Sequence, residues 1–561
     1  MNYPRNIFRE FNDEKLNEIR NHPYYKEIRE KIIKKADDIL ETPLPRIRFS
    51  EIHMYVTTGN RNIFQSNYNK YHYGMEYLFQ AYLITEDEKY LPELADIIWN
   101  ICNFESWTVP AHVDENLPIK ERRRFLDLAS TALARDMSEV IYYIGDKLPE
   151  LVTRRAKAEL QYRIIDSYAE RDWPFEFVKH NWASVCMTGV LCVYLNIATD
   201  EEIEAQLPRM MKVIDLYLSG FEDDGCCSEG ISYWNYGFQN FLIFASMLKD
   251  YTDGRINYFD NPKVKKVASF PYRVILDDNN NCLTFSDASV SRYNMDNWVA
   301  HTIKANYPDF PLRSNNPLTE PVASLRYLMC CNPDYECEKI KIGNDIFEDV
   351  QWFIYHGNNY ALGAKAGHNG EFHNHNDVGS FMVSRDNEVT LCDTGAGLYT
   401  KQYFADETRY SHLLCSSLGH SVPIINGEEQ KEGKRGEAQI YEIRDNRFAF
   451  NMKHAYVVPS LTSLKREFEC DADGFNLTDT FEFSKMPSAL CERFVSHAPI
   501  TIEDGVIKTG GTTIAFNADE FDVRIGSEEV VLIINKPKTI YFVELAPKQL
   551  NTNMKLSFRI M

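Results

Sequence analysis

A change of hydrophobic period partway along the chain limits its fold more than any other feature. Up to about residue 320, apolar residues recur every three to four positions, the spacing of an amphipathic helix. Residues 76–84 show it through Tyr77, Leu78, Tyr82 and Leu83, and Thr85-Glu-Asp-Glu then reads as a turn and a new helix cap. Residues 90–102, 125–144, 151–168, 184–198 and 203–218 repeat the period with short polar joints. Such helices pack as antiparallel pairs, either stacked as a solenoid or closed into an α/α toroid, and no exact repeat decides between the two. Beyond about residue 345 the apolar runs shorten and fall between Gly, Asn and Asp: 352–355, 360–364, 380–383, 389–392, 475–483, 512–516, 530–534 and 540–545. These predict an antiparallel β-sandwich. The expected organisation is an α+β multidomain chain, helical over 1–320 and a sandwich over 321–561, joined within 315–346, a stretch rich in Pro, Asn and Cys.

Composition narrows the function classes. With 561 residues, 44% hydrophobic and 25% charged, the chain is long enough for large cores, and wholesale disorder is excluded. Lys and Arg total 61 against 82 Asp and Glu, a net charge of -21, which argues against a broad nucleic-acid-binding face. The 33 Tyr and 33 Phe suit stacking platforms but are by default core residues. Thirteen cysteines without any CxxC give neither a zinc ribbon nor a disulfide framework, so reduced thiols are expected. The first residues, MNYPRNIFREFNDEK, contain no signal-peptide core, and no apolar run approaches the ~20 residues that span a bilayer. The chain reads as soluble and cytoplasmic, or periplasmic or secreted if a leader has been trimmed, with no membrane partner.

The densest polar cluster is Gly370-Glu-Phe-His373-Asn374-His375-Asn376-Asp377-Val378-Gly379-Ser380-Phe381. In an extended segment, His373 and His375 share one face, so one can serve as a general base and the other as a metal ligand, or both can bind metal. Asp393 ends the next apolar run, and His420 follows in Ser-Ser-Leu-Gly-His; two His and one Asp make an acceptable zinc shell. In the helical half, Asn181 precedes an apolar run and on its own reads as a helix cap. Glu229-Gly-Ile-Ser-Tyr233-Trp-Asn-Tyr236 leads into a helix on which the two tyrosines, three apart, share a face, ordinarily a packing face. Lys120, Arg122, Arg123 and Arg124 form a basic run that could grip a carboxylate or sulfate.

Taken in order, these clusters resemble the heparinase II/III-like polysaccharide lyases over most of the chain. The His-x-His-x-Asp segment, the strand-ending Asp-x-Gly and the Ser-x-x-x-His ahead of Ile425-Asn426-Gly427 carry the resemblance, with Asn181 and Glu-Gly-x-x-Tyr-x-x-Tyr as weaker matches. It implies an incomplete helical α/α toroid followed by the sandwich. It also implies a carbon–oxygen lyase acting on uronate polysaccharides: His373 catalytic, Tyr236 the catalytic tyrosine with Tyr233 as fallback, and Asn181 hydrogen-bonding the substrate carboxylate. His375, Asp393 and His420 would hold a structural zinc. His180, Arg123, Glu229, Asn374 and Arg409 are the candidate substrate-binding residues. The partner is an anionic polysaccharide or oligosaccharide, and the β domain of relatives sometimes mediates homodimers. No organic cofactor is expected, since no P-loop or dinucleotide fingerprint occurs.

The residue types fit the reaction. Removing the hydrogen at C5 of a uronate builds charge on its carboxylate, which a neutral amide can stabilise, while Tyr or His moves the protons. Two other readings remain: an α/α-toroid glycoside hydrolase using paired carboxylates such as Glu229, Asp223 and Asp224, and a non-catalytic carbohydrate-binding protein. The charge of -21 opposes a polyanion everywhere except at a local positive patch. Salt screens the repulsion together with the local attraction. Titrating sodium chloride into an activity assay should therefore depress this enzyme less than a basic lyase; a steep loss at the first additions would contradict that.

Overall fold

The computed structural model describes residues 5–288, 292–310, 324–333, 343–503 and 505–561, omitting the side chains of Lys401 and Asp406. The expected boundary at 320/321 lies outside the described residues. Contacts divide the chain into two units. The first comprises Met1–Gly220, Asn235–Lys265 and Asn294–Lys339; the second comprises Phe221–Trp234, Lys266–Tyr293 and Ile340–Met561.

The first unit is helical, an incomplete α/α toroid. Short joints bring Asn62–Thr85 against Leu91–Asn103 and Asn181–Ile197 against Asp200–Leu218, and Asn181–Ile197 also packs on the more distant Leu128–Ile144. The helices Leu128–Ile144 and Asn181–Ile197 are buried on nearly all sides, which makes them the inner layer. Local chemistry sets the boundaries. The helix expected from 125 starts at Leu128 because the Asp127 carboxylate caps it, accepting from the Ser130 amide at 2.7 Å. Thr199 and Glu202 form a capping box before Asp200–Leu218. The single helix expected over 151–168 is interrupted: Glu150–Leu160 passes through a π-helical turn, Gln161–Ile165, into Asp166–Glu170. Among the described residues no helix is long and apolar enough to cross a membrane. The cysteines among them are all free thiols.

Among the described residues, the second unit holds three antiparallel sheets. A five-stranded sheet runs in sequence order from Asp345–Phe347 to Glu388–Leu391. An eight-stranded sheet centres on Leu461–Cys470, Phe475–Phe483 and Asn553–Ile560, and a four-stranded sheet on Pro537–Pro547 and Leu490–Ser496. Alternation along Phe475–Phe483 buries Phe475, Leu477, Phe481 and Phe483, which join Phe381, Phe448, Phe468 and Phe494 in one core. The strand expected over 530–534 is instead the end of Phe521–Val531 followed by a turn. Asn535 sits there at φ 54°, and its amide bonds the Leu532 carbonyl at 2.8 Å.

One inward position on Phe475–Phe483 is charged. Asp479 pairs across the sheet with Arg466, and both are fully buried. The guanidinium donates to Asp479 at 2.9 Å, to Glu492 at 3.1 Å, and to the carbonyls of Gly379 and Ser421, each at 2.8 Å. Burial and Asp479 raise the Glu492 carboxyl while Arg466 opposes them. Removing one partner of such a network leaves the others buried and uncompensated. Arg466→Met should cost about 3–5 kcal/mol in urea unfolding; a loss below about 1 kcal/mol would show that the network relaxes freely.

Candidate active site

In the second unit, three loops meet around one carboxylate. Ahead of the helix Ile231–Tyr251, Gly230 lies at φ +90°, and a Cβ there would come within 2.7 Å of the Phe285 carbonyl oxygen, so only glycine allows this approach. Ser286, also left-handed at φ 66°, donates through Oγ to the Ser228 carbonyl at 3.0 Å. Glu229 and Asp287 are thereby brought together. The third loop is the histidine cluster, which is not extended: His373 is left-handed at φ 55° within a turn. The period-two argument therefore fails here, because side chains alternate only along a strand. The two histidines nevertheless converge, each on a different oxygen of Asp287.

Asp287 is buried and saturated. Its Oδ1 accepts from His375 Nε2 at 3.0 Å and from the Tyr403 hydroxyl at 2.5 Å. Its Oδ2 accepts from His373 Nδ1 at 3.0 Å and from Arg409 Nη2 at 3.1 Å. Burial works against its charge, but the histidine hydrogen bonds and the charges of His375 and Arg409 hold the carboxyl well below the usual range. On the other edge of the His373 ring, Nε2 lies 3.8 Å from Glu229 Oε2, too long for a hydrogen bond. Burial pushes the Glu229 carboxyl up, opposed by His373. Tyr233 stacks on His373 with ring centroids 4.3 Å apart, and its hydroxyl lies 2.7 Å from that of Tyr399 and 3.3 Å from His373 Nδ1. Burial raises the Tyr233 phenol.

Behind this cluster, His375, Asp393 and His420 place their ligand atoms within 4.8 Å of one another, all buried. His375 Nδ1, Asp393 Oδ2 and His420 Nδ1 each lack a hydrogen-bond partner. The opposite atoms are engaged: His375 Nε2 with Asp287, His420 Nε2 with the Leu414 carbonyl at 3.2 Å, and Asp393 Oδ1 with the Gly395 amide at 3.0 Å. Both rings thus carry their proton on Nε2 and turn an Nδ1 lone pair inward, as metal-binding histidines do. His420 Nδ1 and Asp393 Oδ2 are 3.2 Å apart without hydrogen-bond alignment, close to the ~3.3 Å between two ligands of a tetrahedral zinc. The donor set fits a metal ion. A second group, Asp287, His375 and Cys415, fits less well because Asp287 is already saturated.

Asn181 and Tyr236 lie in the first unit. Asn181 is the first residue of Asn181–Ile197, and the N-cap is His180, whose side chain accepts from the Trp182 amide. The cap reading of Asn181 is therefore corrected: a capping side chain must sit one residue earlier. Asn181 is 8% exposed, and its amide makes no hydrogen bond among the described residues. Gly237 lies against it, since a Cβ there would sit 3.2 Å from Asn181 Cβ. The adjacent Tyr236 is 43% exposed, and its hydroxyl likewise has no partner among the described residues.

The remaining candidates are engaged within the protein. Arg123 pairs with Glu159 at 3.1 Å, and its neighbours Arg122 and Arg124 with Glu105 and Glu170. Asn374 donates to the Asn369 carbonyl at 2.8 Å and accepts from the Tyr410 hydroxyl at 2.8 Å. Arg409 holds Asp287 and the Asn374 carbonyl. Sequence reasoning missed Asp287, Tyr399 and Tyr403. A signal existed for Asp287, which closes the apolar stretch 282–285 much as Asp393 closes 389–392, but it falls in the half of the sequence read as helical.

No protein-family model and no curated protein matches the chain. Solved structures do match. A heparinase III gene product with methylated lysines is 13% identical, with 94% of this chain and 83% of that one covered, at a TM-score of 0.65. Another heparinase III is 12% identical, with 98% and 91% covered, also at 0.65. A heparan sulfate lyase from Pedobacter heparinus is 12% identical, with 98% and 90% covered, at 0.58. The chain has the fold of these heparinase-like polysaccharide lyases.

The fit of Gly237 against Asn181 is testable. A methyl there would also meet the Tyr217 hydroxyl at 2.7 Å, an overpacking that costs about 1–3 kcal/mol. Alanine recovers up to ~1 kcal/mol of helix propensity. Gly237→Ala should therefore lower stability on balance and displace Asn181, checked by denaturant unfolding and a crystal structure of the variant; a stabilised protein would refute the close fit.

Proposed function

We propose that this chain is a polysaccharide lyase that cleaves uronic-acid-containing anionic glycans by β-elimination and leaves an unsaturated uronate end. The observation that carries the reading is the His373–Asp287 pair in a chain with the heparinase III fold. His373 Nδ1 donates to Asp287 Oδ2, so in the neutral form of the ring the lone pair lies on Nε2, on the Glu229 side. That is the state a general base needs.

The roles follow from the chemistry of each group. The Asn181 amide would donate to the uronate carboxylate as charge builds there. A neutral donor gains strength as that charge develops, which favours the transition state over the ground state. Tyr236, with its open hydroxyl, would protonate the departing O4 oxygen. Tyr233 is the weaker candidate because its hydroxyl is already held by Tyr399. Either His373 takes the C5 proton or Tyr236 both takes it and returns it, according to the configuration at C5. Glu229 can accept a hydrogen bond from a sugar hydroxyl placed within reach of His373 Nε2. His375, Asp393 and His420 would hold zinc, which would supply fixed positive charge and hold the loops in place.

The hydrolase reading needs two carboxylates flanking the scissile bond. Asp287 is saturated, Asp224 accepts from the Cys226 and Asp349 amides, and Glu229 is the carboxylate that lies beside the Nε2 edge of His373. A lyase creates a conjugated double bond that absorbs in the ultraviolet, and a hydrolase does not. A panel of alginate, hyaluronan, chondroitin sulfates and heparan sulfate should yield such absorbance with at least one polymer. His373→Ala and Tyr236→Phe should each reduce that rate by roughly 10²–10⁴-fold, and prolonged chelation should reduce it reversibly. Silence across the panel, or full activity in both variants, would sink the reading.

A further inference from the structure

We propose that the helix Phe49–Thr58 of the first unit, with Arg46, Arg48 and Arg61 at its two ends, is a face that binds the anionic glycan at sugars away from the bond that is cut. The proposal rests on the lyase reading for the nature of its ligand.

Charge and exposed aromatic surface coincide on this helix. Arg46 and Arg48 are exposed, and among the described residues their side chains form no hydrogen bond and no ion pair. Arg61 donates through Nε to Gln65 at 2.8 Å and likewise meets no carboxylate among them. In a chain with 82 Asp and Glu against 61 Lys and Arg, three such guanidinium groups within residues 46–61 make a local exception to the net charge. Nearby carboxylates are engaged: Glu51 accepts from the Asn67 amide at 3.2 Å, and Glu115 accepts from His53 Nδ1 at 2.9 Å. Between the arginines, Phe49 is 75% exposed and stacks on His53 with ring centroids 5.5 Å apart. None of the helix residues is buried, so the ring adds nothing to a core. Against the C–H face of a sugar it would regain apolar contact. A guanidinium beside it can hold a carboxylate or sulfate with two hydrogen bonds. At 1.5 Å per residue the ends of the helix lie about 15 Å apart. No single sugar ring bridges them, so the ligand that suits both ends is a chain with repeated anionic groups.

The loop 104–118 ties this face to the Asn181 end of the same unit. Its Glu115 holds His53, and its Thr108 and Pro110 share a hollow of about 160 Å³ with Ile47, Ile52 and Phe64. Further along, His112 donates through Nδ1 to Asp127 at 2.7 Å, and its ring meets that of Trp182 at 4.8 Å. Trp182 directly follows Asn181. The start of the arginine segment is fixed as well, since the Tyr71 hydroxyl donates to the Pro45 carbonyl at 2.8 Å. A glycan whose uronate lies at Asn181 can thus extend across the loop to the helix without leaving the first unit. Cations there meet charges that do not change during the reaction. They hold substrate and transition state equally well, which lowers KM and leaves kcat alone.

The test measures binding by the full chain carrying His373→Ala, so that the probes stay intact. Fluorescently labelled heparan sulfate and alginate chains are the probes, with uncharged dextran and double-stranded DNA as controls. At least one of the two glycans should bind. Replacing Arg46→Ser and Arg48→Ser together should weaken it by roughly tenfold or more and make the affinity less steeply dependent on salt. Arg46→Lys with Arg48→Lys should keep the salt dependence. Phe49→Ala should weaken binding about 3–10-fold without changing that dependence. All these side chains are exposed, so the urea midpoints should stay at the parent value. With His373 restored, and on whichever polymer gives ultraviolet absorbance, the double serine variant should raise KM by about tenfold and hold kcat within about twofold. Unchanged affinity in that variant overturns the proposal and leaves the absorbance result, and with it the lyase reading, standing. A fall in kcat at constant KM places the arginines at the reacting sugar and overturns a remote face. Dextran or DNA bound as tightly as the glycans overturns recognition of an anionic sugar chain. A protein that binds neither glycan overturns the proposal outright; only silence in the absorbance panel as well would take the lyase reading with it.

Discussion

The buried carboxylate of Asp287 is the contact on which the candidate site depends. Removing an ion of this size from water costs several kcal/mol even after relaxation, and only well-aligned donors offset it. Here four converge from four different residues, two of them imidazoles and one a guanidinium. Breaking one partner of such a set costs about 3–5 kcal/mol, whereas a left-handed non-glycine residue costs about 1–3 kcal/mol. The comparison explains why Ser286 and His373 sit at positive φ with side chains that do not favour it. The backbone gives way because the carboxylate cannot. It also explains why Arg409, which from sequence alone could have faced a substrate anion, turns inward.

The loops that carry His375, Asp393 and His420 are held by a second buried charge set a few residues away. Arg466 donates to the carbonyl of Gly379, four residues after His375, and to that of Ser421, next to His420. The strand Leu490–Ser496 completes the frame. Its Val495 carbonyl accepts from the Cys392 amide beside Asp393, and its Val495 amide donates to Ser421 Oγ. All three candidate ligands therefore hang from sheet strands, and their inward atoms are left without protein partners. Elsewhere in the sandwich, inward polar atoms such as those of Asp479 find partners across the sheet. The convergence of three unpartnered ligand atoms within 4.8 Å of one another is what makes the triad a candidate metal centre.

Much of this architecture was legible in the sequence because it rests on periodicity. The helix around 203–218 and the strand 475–483 emerge nearly as expected, since each has one buried face, and the helix around 76–84 forms although it is buried on nearly all sides. Failures cluster where side-chain chemistry overrides period. The His-x-His segment has the alternation of a strand, but His373 is drawn out of extended geometry by Asp287. Asn181 has the composition of a cap, yet His180 performs that role and the amide is left with other uses. Asp287 itself could not be found by following patterns along the chain. It belongs to a short segment, 266–293, that contacts place with the sheets although it precedes them in sequence.

The distribution of charge bears on the chemistry that remains. A protein of net charge -21 that acts on polyanions would be expected to concentrate cations around the reacting sugar. Among the described residues the guanidinium beside His373 is instead consumed by Asp287, and the arginines 122–124 are each paired with a glutamate. Groups with open donors, the Asn181 amide and the Tyr236 hydroxyl, are neutral. A cation there would bind the uronate carboxylate before the C5 proton leaves and stabilise ground and transition states alike, which lowers KM without raising kcat. A neutral donor adds most where the charge is still growing. On the lyase reading, neutral donors suit a reaction that asks for stabilisation only once the proton has begun to move.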